Sequence, residues 1–106
     1  MGGHGMEVLT KTNGRELKIM LRGELDHHGA HDAMEQIEHT LDAALPLSLT
    51  LDFSGITFMD SSGIAVVLRA KRRMAALGGS VTLSGIPPQA GKVFEAAGIK
   101  RLITMI

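Results

Sequence analysis

The chain has no cysteine, no tryptophan and no tyrosine, and only three phenylalanines and three prolines in 106 residues. Without cysteine there can be no disulfide, thiolate metal site or thiol nucleophile, a composition compatible with a reducing compartment. The shortage of aromatics argues against the stacking platforms that grip single-stranded nucleic acid. With 44% hydrophobic residues, the core must be aliphatic. An excess of charge of one sign is also missing. Eleven basic and eleven acidic residues cancel, which removes the general attraction to nucleic acid or anionic membrane and leaves a protein or a small ligand as the expected partner. No apolar run approaches the roughly 20 residues of a membrane span, and "MGGHGME" lacks the apolar stretch of a secretion signal. A soluble, cytoplasmic protein is expected. Residues 1–5 read as a flexible lead-in or an expression remnant, and residues 6–106 as one domain, of a size that buries roughly 65% of its unfolded surface.

What the chain does have is apolar periodicity. Val8 to Thr10 and Leu17 to Leu25 alternate around "TNGRE", whose Asn13-Gly14 pair signals a hairpin turn, so the chain is expected to open with an antiparallel pair. Ala30, Met34, Ile37, Leu41 and Leu45 recur every three or four residues and predict an amphipathic helix ended near Pro46. "LSLTLDF" alternates Leu47, Leu49, Leu51 and Phe53 with polar residues and predicts a strand ending at Phe53. Helical periodicity returns from Ile64 to Leu77. Ile64, Val67, Leu68, Ala70, Met74, Ala75 and Leu77 share one arc, Lys71 falls inside it and is expected to snorkel, and Arg69, Arg72 and Arg73 lie opposite. Gly78-Gly79 stops this helix. "SVTLSG" predicts a strand, Pro87-Pro88 a helix start, Lys92 to Ala97 a short helix and "LITMI" a last strand. The order β-β-α-β-α-β-α-β predicts an α/β fold with a mostly parallel sheet, right-handed crossovers and an antiparallel first strand.

Asp60, Ser61, Ser62 and Gly63 interrupt the most apolar stretch, "GITFMDSSGIAVVL". As the start of a helix they are candidate caps, since side-chain oxygens there accept hydrogen bonds from the free amides of the first turn. One cap needs one such residue, and three stand in succession. The site also follows a parallel strand at its carboxyl end, where open α/β sheets place function. A hydroxyl at a helix start is moreover a favourable place for an added phosphate, because free amides and the helix dipole stabilise its charge. Capping and modification are therefore both open readings of Ser61. A second polar cluster, "GELDHHGAHD", holds Asp26, His27, His28, His31 and Asp32. His27 and His31 would share a helix face if the helix began early enough, but no further ligand stands out, so a solvated loop and first turn are expected, with no metal or other cofactor. A serine hydrolase would need a nucleophile motif such as G-x-S-x-G, which is absent, and no catalytic residue is assigned. The arginines of the central helix read as a solvated face that can contribute to a protein interface.

"RGELDHHGA", then "LDFSGITFMDSSGIAVVLRAKRRMAALGG", then "IPPQAGKVFEAAGI" together resemble the STAS-domain anti-sigma-factor antagonists, over roughly Glu7 to Ile106. The resemblance implies a mixed sheet of four to five strands with helices mainly on one face. It also implies partner switching. Ser61 would be the phosphoacceptor, modified by an anti-sigma factor that is itself a serine kinase and reset by a serine phosphatase, and the unmodified form would hold the anti-sigma factor and free sigma. Asp26, His27, Met59, Asp60, Ser62 and Gly63 would surround the contact, with Asp26 pairing a partner arginine and the exposed side of Met59 offering an adaptable apolar contact. Asp26→Ala is accordingly expected to weaken the complex without lowering thermal stability. The alternative is a non-switching STAS scaffold or sensor that binds a small ligand or nucleotide; no G-x-x-x-x-G-K phosphate cradle supports it. Gly29 stands where a capping threonine would be expected, which predicts a weakened, mobile start to the first helix. Relatives commonly carry a last helix beyond the final strand, whereas this sequence reaches Ile106.

Overall fold

The computed structural model describes residues 6–106, and the lead-in expected over residues 1–5 lies outside the described residues. The elements are β1 (Glu7–Asn13), β2 (Glu16–Leu25), α1 (His27–Ala44), β3 (Ser48–Met59), α2 (Ser62–Ala76), β4 (Ser80–Ser84), α3 (Pro88–Ala96) and β5 (Thr104–Met105), with a 3-10 turn at Ile99–Arg101 before the last strand. The five strands lie side by side in chain order. β1 is antiparallel to β2 and every later neighbour is parallel, which is the mixed α/β sheet the pattern predicts.

Side chains on a strand alternate between faces, so each strand commits every second residue to the core. Leu17, Ile19 and Leu21 of β2, Leu49, Leu51 and Phe53 of β3, and Val81 and Leu83 of β4 are buried. Onto them pack Ala33, Ile37 and Leu41 of α1, Val67, Ala70 and Met74 of α2, and Ala90 and Phe94 of α3, in one apolar cluster. The intervening residues Lys18, Thr50, Asp52 and Thr82 remain at least partly exposed, so the helices cover one face of the sheet. Phe53 and Phe94 meet edge to face with centroids 5.3 Å apart, a contact worth about 0.5–1.5 kcal/mol beyond its buried area. Among the described residues no polar or charged side chain is buried.

Several boundaries differ from those the sequence suggests. The hairpin loop is Gly14-Arg15, because Asn13 and Glu16 still pair, so the glycine occupies the first loop position. β3 runs on through Gly55 to Met59 instead of ending at Phe53. It absorbs Gly55 with register shifts against β2, where a Cβ on Gly55 would lie 2.6 Å from Arg22 Cγ and 2.9 Å from the Leu21 carbonyl oxygen. α3 begins at Pro88, four residues before Lys92. In α2, Val66 is buried whereas Ala75 and Lys71 are exposed. The buried face of α2 runs through Gly63, Val66, Val67, Ala70 and Met74, with Gly63 lying against Met59 and Leu25. Its arginines are not simply solvated either: Arg69 Nε donates to Glu38 Oε2 at 2.8 Å and Arg73 pairs with Asp42, tying α2 to α1.

Candidate functional site

β2 and β3 end side by side, with Leu25 opposite Met59 in the parallel register. Each then turns into a helix through the same four-residue pattern, D-x-x-G: Asp26-His27-His28-Gly29 leads into α1 and Asp60-Ser61-Ser62-Gly63 into α2. In the first, Asp26 Oδ1 accepts from the Gly29 amide at 2.9 Å. In the second, Asp60 Oδ1 accepts from the Ser62 amide at 2.7 Å, and the Asp60 carbonyl accepts from the Gly63 amide at 3.1 Å. The aspartate does the capping in both turns.

That division of labour decides what Ser61 is free to do. Ser61 occupies the N-cap position of α2, yet its side chain makes no capping hydrogen bond, and the residue is exposed. Ser62 is half-buried. The hydroxyl therefore stands in solvent at the positive end of a 15-residue helix, uncommitted to the fold. Among the described residues no histidine hydrogen-bonds to either serine, and His27 and His28 are exposed, with their rings 6.5 Å apart edge to face. Among the described residues, no group of three or more His, Asp or Glu side chains is placed to hold a metal ion.

The buried glycines hold both turns against the sheet. A Cβ on Gly29 would fall 2.0 Å from the backbone oxygen of Glu24, and one on Gly63 would fall 2.5 Å from Met59 Sδ. Gly29 therefore does not weaken the start of α1, as expected from the missing threonine. Its lack of a side chain is what lets the helix begin three residues earlier than the periodicity indicates, with Asp26 as the cap. Asp26→Ala must consequently lower stability, contrary to expectation, because the carboxylate is committed to the helix start.

Met59 is also placed differently from the expectation. It is 0% exposed, lies under Gly63 and Leu25, and has no exposed side to offer a partner. The strand is longer than expected and does not keep a strict alternation: beyond Phe53 the register shifts against β2 bring Ile56 and then Met59, the last β3 residue, into the core. The exposed apolar residue is its neighbour Phe58, 43% accessible and paired with Glu24. Gly63 is buried as well, so of the six expected contact residues only Asp26, His27, Asp60 and Ser62 reach the surface.

One participant was invisible in the sequence. Gln89, in the first turn of α3, donates from Nε2 to the Met59 carbonyl at 2.7 Å and accepts at Oε1 from the Met59 amide at 2.8 Å. A side-chain amide thus pairs with the backbone of β3 as a neighbouring strand would, where β4 has already ended. It fixes the residue immediately before Asp60. The D-x-x-G repetition, one copy per strand end, marks the two turns in the sequence but carries no signal for Gln89.

The family model described as "Mlab, STAS domain" matches residues 8–104. The chain belongs to the STAS-domain family. Among its STAS relatives is an anti-sigma F factor antagonist of Lysinibacillus sphaericus, 38% identical over 98 residues that cover 89% of this chain and 78% of the relative. The STAS fold is shared with the anti-sigma factor antagonist SpoIIAA in its unphosphorylated form, with a TM-score of 0.79 and 27% identity over 94% of this chain and 88% of the other. The phosphorylated form of the Bacillus SpoIIAA superposes with a TM-score of 0.71, again at 27% identity, over 94% of this chain and 91% of the other. No helix of this STAS domain, among the described residues, is long and apolar enough to cross a membrane.

Proposed function

We propose that this STAS domain is an anti-sigma-factor antagonist that binds its anti-sigma factor through the paired D-x-x-G turns and is switched off by phosphorylation at Ser61. It acts as a regulatory protein without an enzymatic activity of its own. The observation that carries the reading is the exposed Ser61 hydroxyl, released from capping by Asp60. A serine kinase, here the anti-sigma factor, needs an accessible hydroxyl that it can bring in line with a γ-phosphate, and a phosphate added there breaks no contact of the fold. A serine phosphatase returns the hydroxyl. The modification carries about −1.5 to −2 charges into a surface docked against a partner, where like-charge juxtaposition and desolvation cost several kcal/mol.

The partner contacts follow from exposure. Asp26, His27, Asp60 and Ser62 reach the surface with Ser61 on the two turns that leave the neighbouring ends of β2 and β3, and Phe58 supplies the apolar contact that Met59 cannot. The related proteins support this reading by name: the Lysinibacillus protein is an anti-sigma F factor antagonist, and SpoIIAA exists in a phosphorylated form.

The test is incubation with ATP and the cognate anti-sigma kinase, followed by mass spectrometry of the peptide that holds Ser61 and Ser62 and by binding measurements on each form. One phosphate, on Ser61, and a loss of affinity of about 100-fold, roughly 2.7 kcal/mol, are expected. Phosphate on Ser62 alone, or none, overturns the assignment. Undiminished binding by Ser61→Asp together with undiminished binding by the phosphorylated protein would favour the non-switching scaffold or sensor.

A further inference from the structure

The side of the molecule next to Ser61 that belongs to α3 has an unusual division of chemistry. Between the start of α2 and α3 lies an open groove of about 540 Å³, walled by Ile64, Val93, Ala96 and Ala97, with Ser61 at its rim. On the other flank of α3 a wider hollow of about 810 Å³ is lined by Lys92, Lys100 and Arg101 against the single carboxylate of Glu95. Lys92 lines both, so an apolar strip and a basic strip adjoin along one helix. The ion pairs among the described residues use none of these three cations, in contrast to Arg69 and Arg73, which are neutralised by α1. The Gln89 clamp on the Met59 backbone holds α3 at a fixed distance from the serine turn.

A specific protein interface covers about 800 Å² on each partner, far more than one four-residue turn presents. A kinase that closes over Ser61 must therefore spread onto an adjoining surface, and the groove begins at the serine itself. Its small walls, Ala96 and Ala97, are exposed and leave room for inserted side chains. Resting on the antagonist reading above, we propose that the α3 face docks an amphipathic, acidic segment of the anti-sigma factor, with apolar side chains in the Ile64–Ala97 groove and carboxylates facing Lys92, Lys100 and Arg101. The zero net charge of the chain argues against a nucleic acid or a lipid surface as the occupant, since three cations beside one carboxylate make a local strip and no extended field. Apolar insertion sets how long the complex lasts, and the basic strip raises the rate at which it forms.

The experiment measures association and dissociation rates with the cognate anti-sigma factor at several salt concentrations, for the wild type, Ser61→Asp and three further variants. Ala96→Arg fills the groove and is expected to weaken binding at least tenfold, mainly by faster dissociation. Lys100→Glu with Arg101→Glu is expected to slow association about tenfold at low salt and to flatten the salt dependence. Lys11→Glu, on the opposite edge of the sheet in β1, is the control and should bind like the wild type. All changed residues are exposed, and unchanged thermal melting confirms that each variant folds. Wild-type binding by both α3 variants overturns this surface; if Ser61→Asp still abolishes binding, the switch stands without it. Weakened binding by the α3 variants with none by Ser61→Asp would leave the surface and remove the switch. Equal weakening by Lys11→Glu and the double variant would reduce the effect to overall charge and overturn the proposal.

Discussion

The two D-x-x-G turns lie side by side on the same rim of the sheet and use one backbone device, yet they present different chemistry. Asp26 and Asp60 each fasten a helix start, and Gly29 and Gly63 each let a helix lie flat on the sheet. Between these fixed points the first turn displays two imidazoles and the second two hydroxyls. The comparison separates what folding needs from what is left over. The outer positions of the pattern are structural, and the inner ones are available for recognition and modification. The turns also differ in support, because among the described residues a side-chain clamp from another element, Gln89, holds the strand end before the second.

The largest expected effect breaks the symmetry of the glycines. Gly29→Ala drives a Cβ against the Glu24 backbone oxygen, which cannot move aside, and should cost about 3 kcal/mol, whereas Gly63→Ala meets the flexible Met59 side chain and should cost about 1 kcal/mol. Urea denaturation of both variants measures the difference, and equal costs would mean that the two turns are held with equal stiffness. Next comes the clamp. Gln89→Leu leaves the Met59 amide and carbonyl unpaired and should cost about 2 kcal/mol, with faster amide exchange at Met59 and none at Leu25. The caps should then prove equivalent, Asp26→Ala and Asp60→Ala each lowering stability by about 1 kcal/mol. Ser61→Ala lies at the bottom of the series, with a change within about 0.5 kcal/mol in the same denaturation experiment, since the hydroxyl holds nothing in place.

Acid provides a reference outside both turns. Burial raises the Asp52 pKa, but hydrogen bonds from the Ser54 backbone and hydroxyl and the charge of Lys18 outweigh it, so the carboxyl titrates below its usual 3.8. A lowered folded-state pKa stabilises the protein above the unfolded value and loses that contribution as pH falls through the folded one. Asp52→Asn should therefore shrink the loss of stability on acidification below pH 3.8, by about 0.5 kcal/mol, without altering either turn.

Most of the architecture was legible in apolar spacing: the opening antiparallel pair, the alternation of strand and helix, and the aliphatic core all follow from period-two and period-3.6 patterns. Legibility failed where glycine was read as punctuation. Gly29 looked like a weak helix start, and β3 was expected to end at Phe53, before Gly55, yet both glycines are required by contacts with β2 that no local pattern records. The resemblance implied an exposed side for Met59, whereas the register shifts of β3 against β2, equally unrecorded in any local pattern, bring it into the core. The serine turn was legible because its residue types are unusual for the apolar run around them. The role of Gln89 was not, since its partner is a backbone segment 30 residues away and any nearby polar side chain reads alike in sequence.

The uniformly apolar interior has a further implication for how such a domain can diversify. Among the described residues no polar or charged side chain is buried, so the lettering on the rim is separate from the hydrocarbon that supports it. Changing the two inner residues of each rim motif can then rewrite what this surface presents while the scaffold beneath stays unaltered.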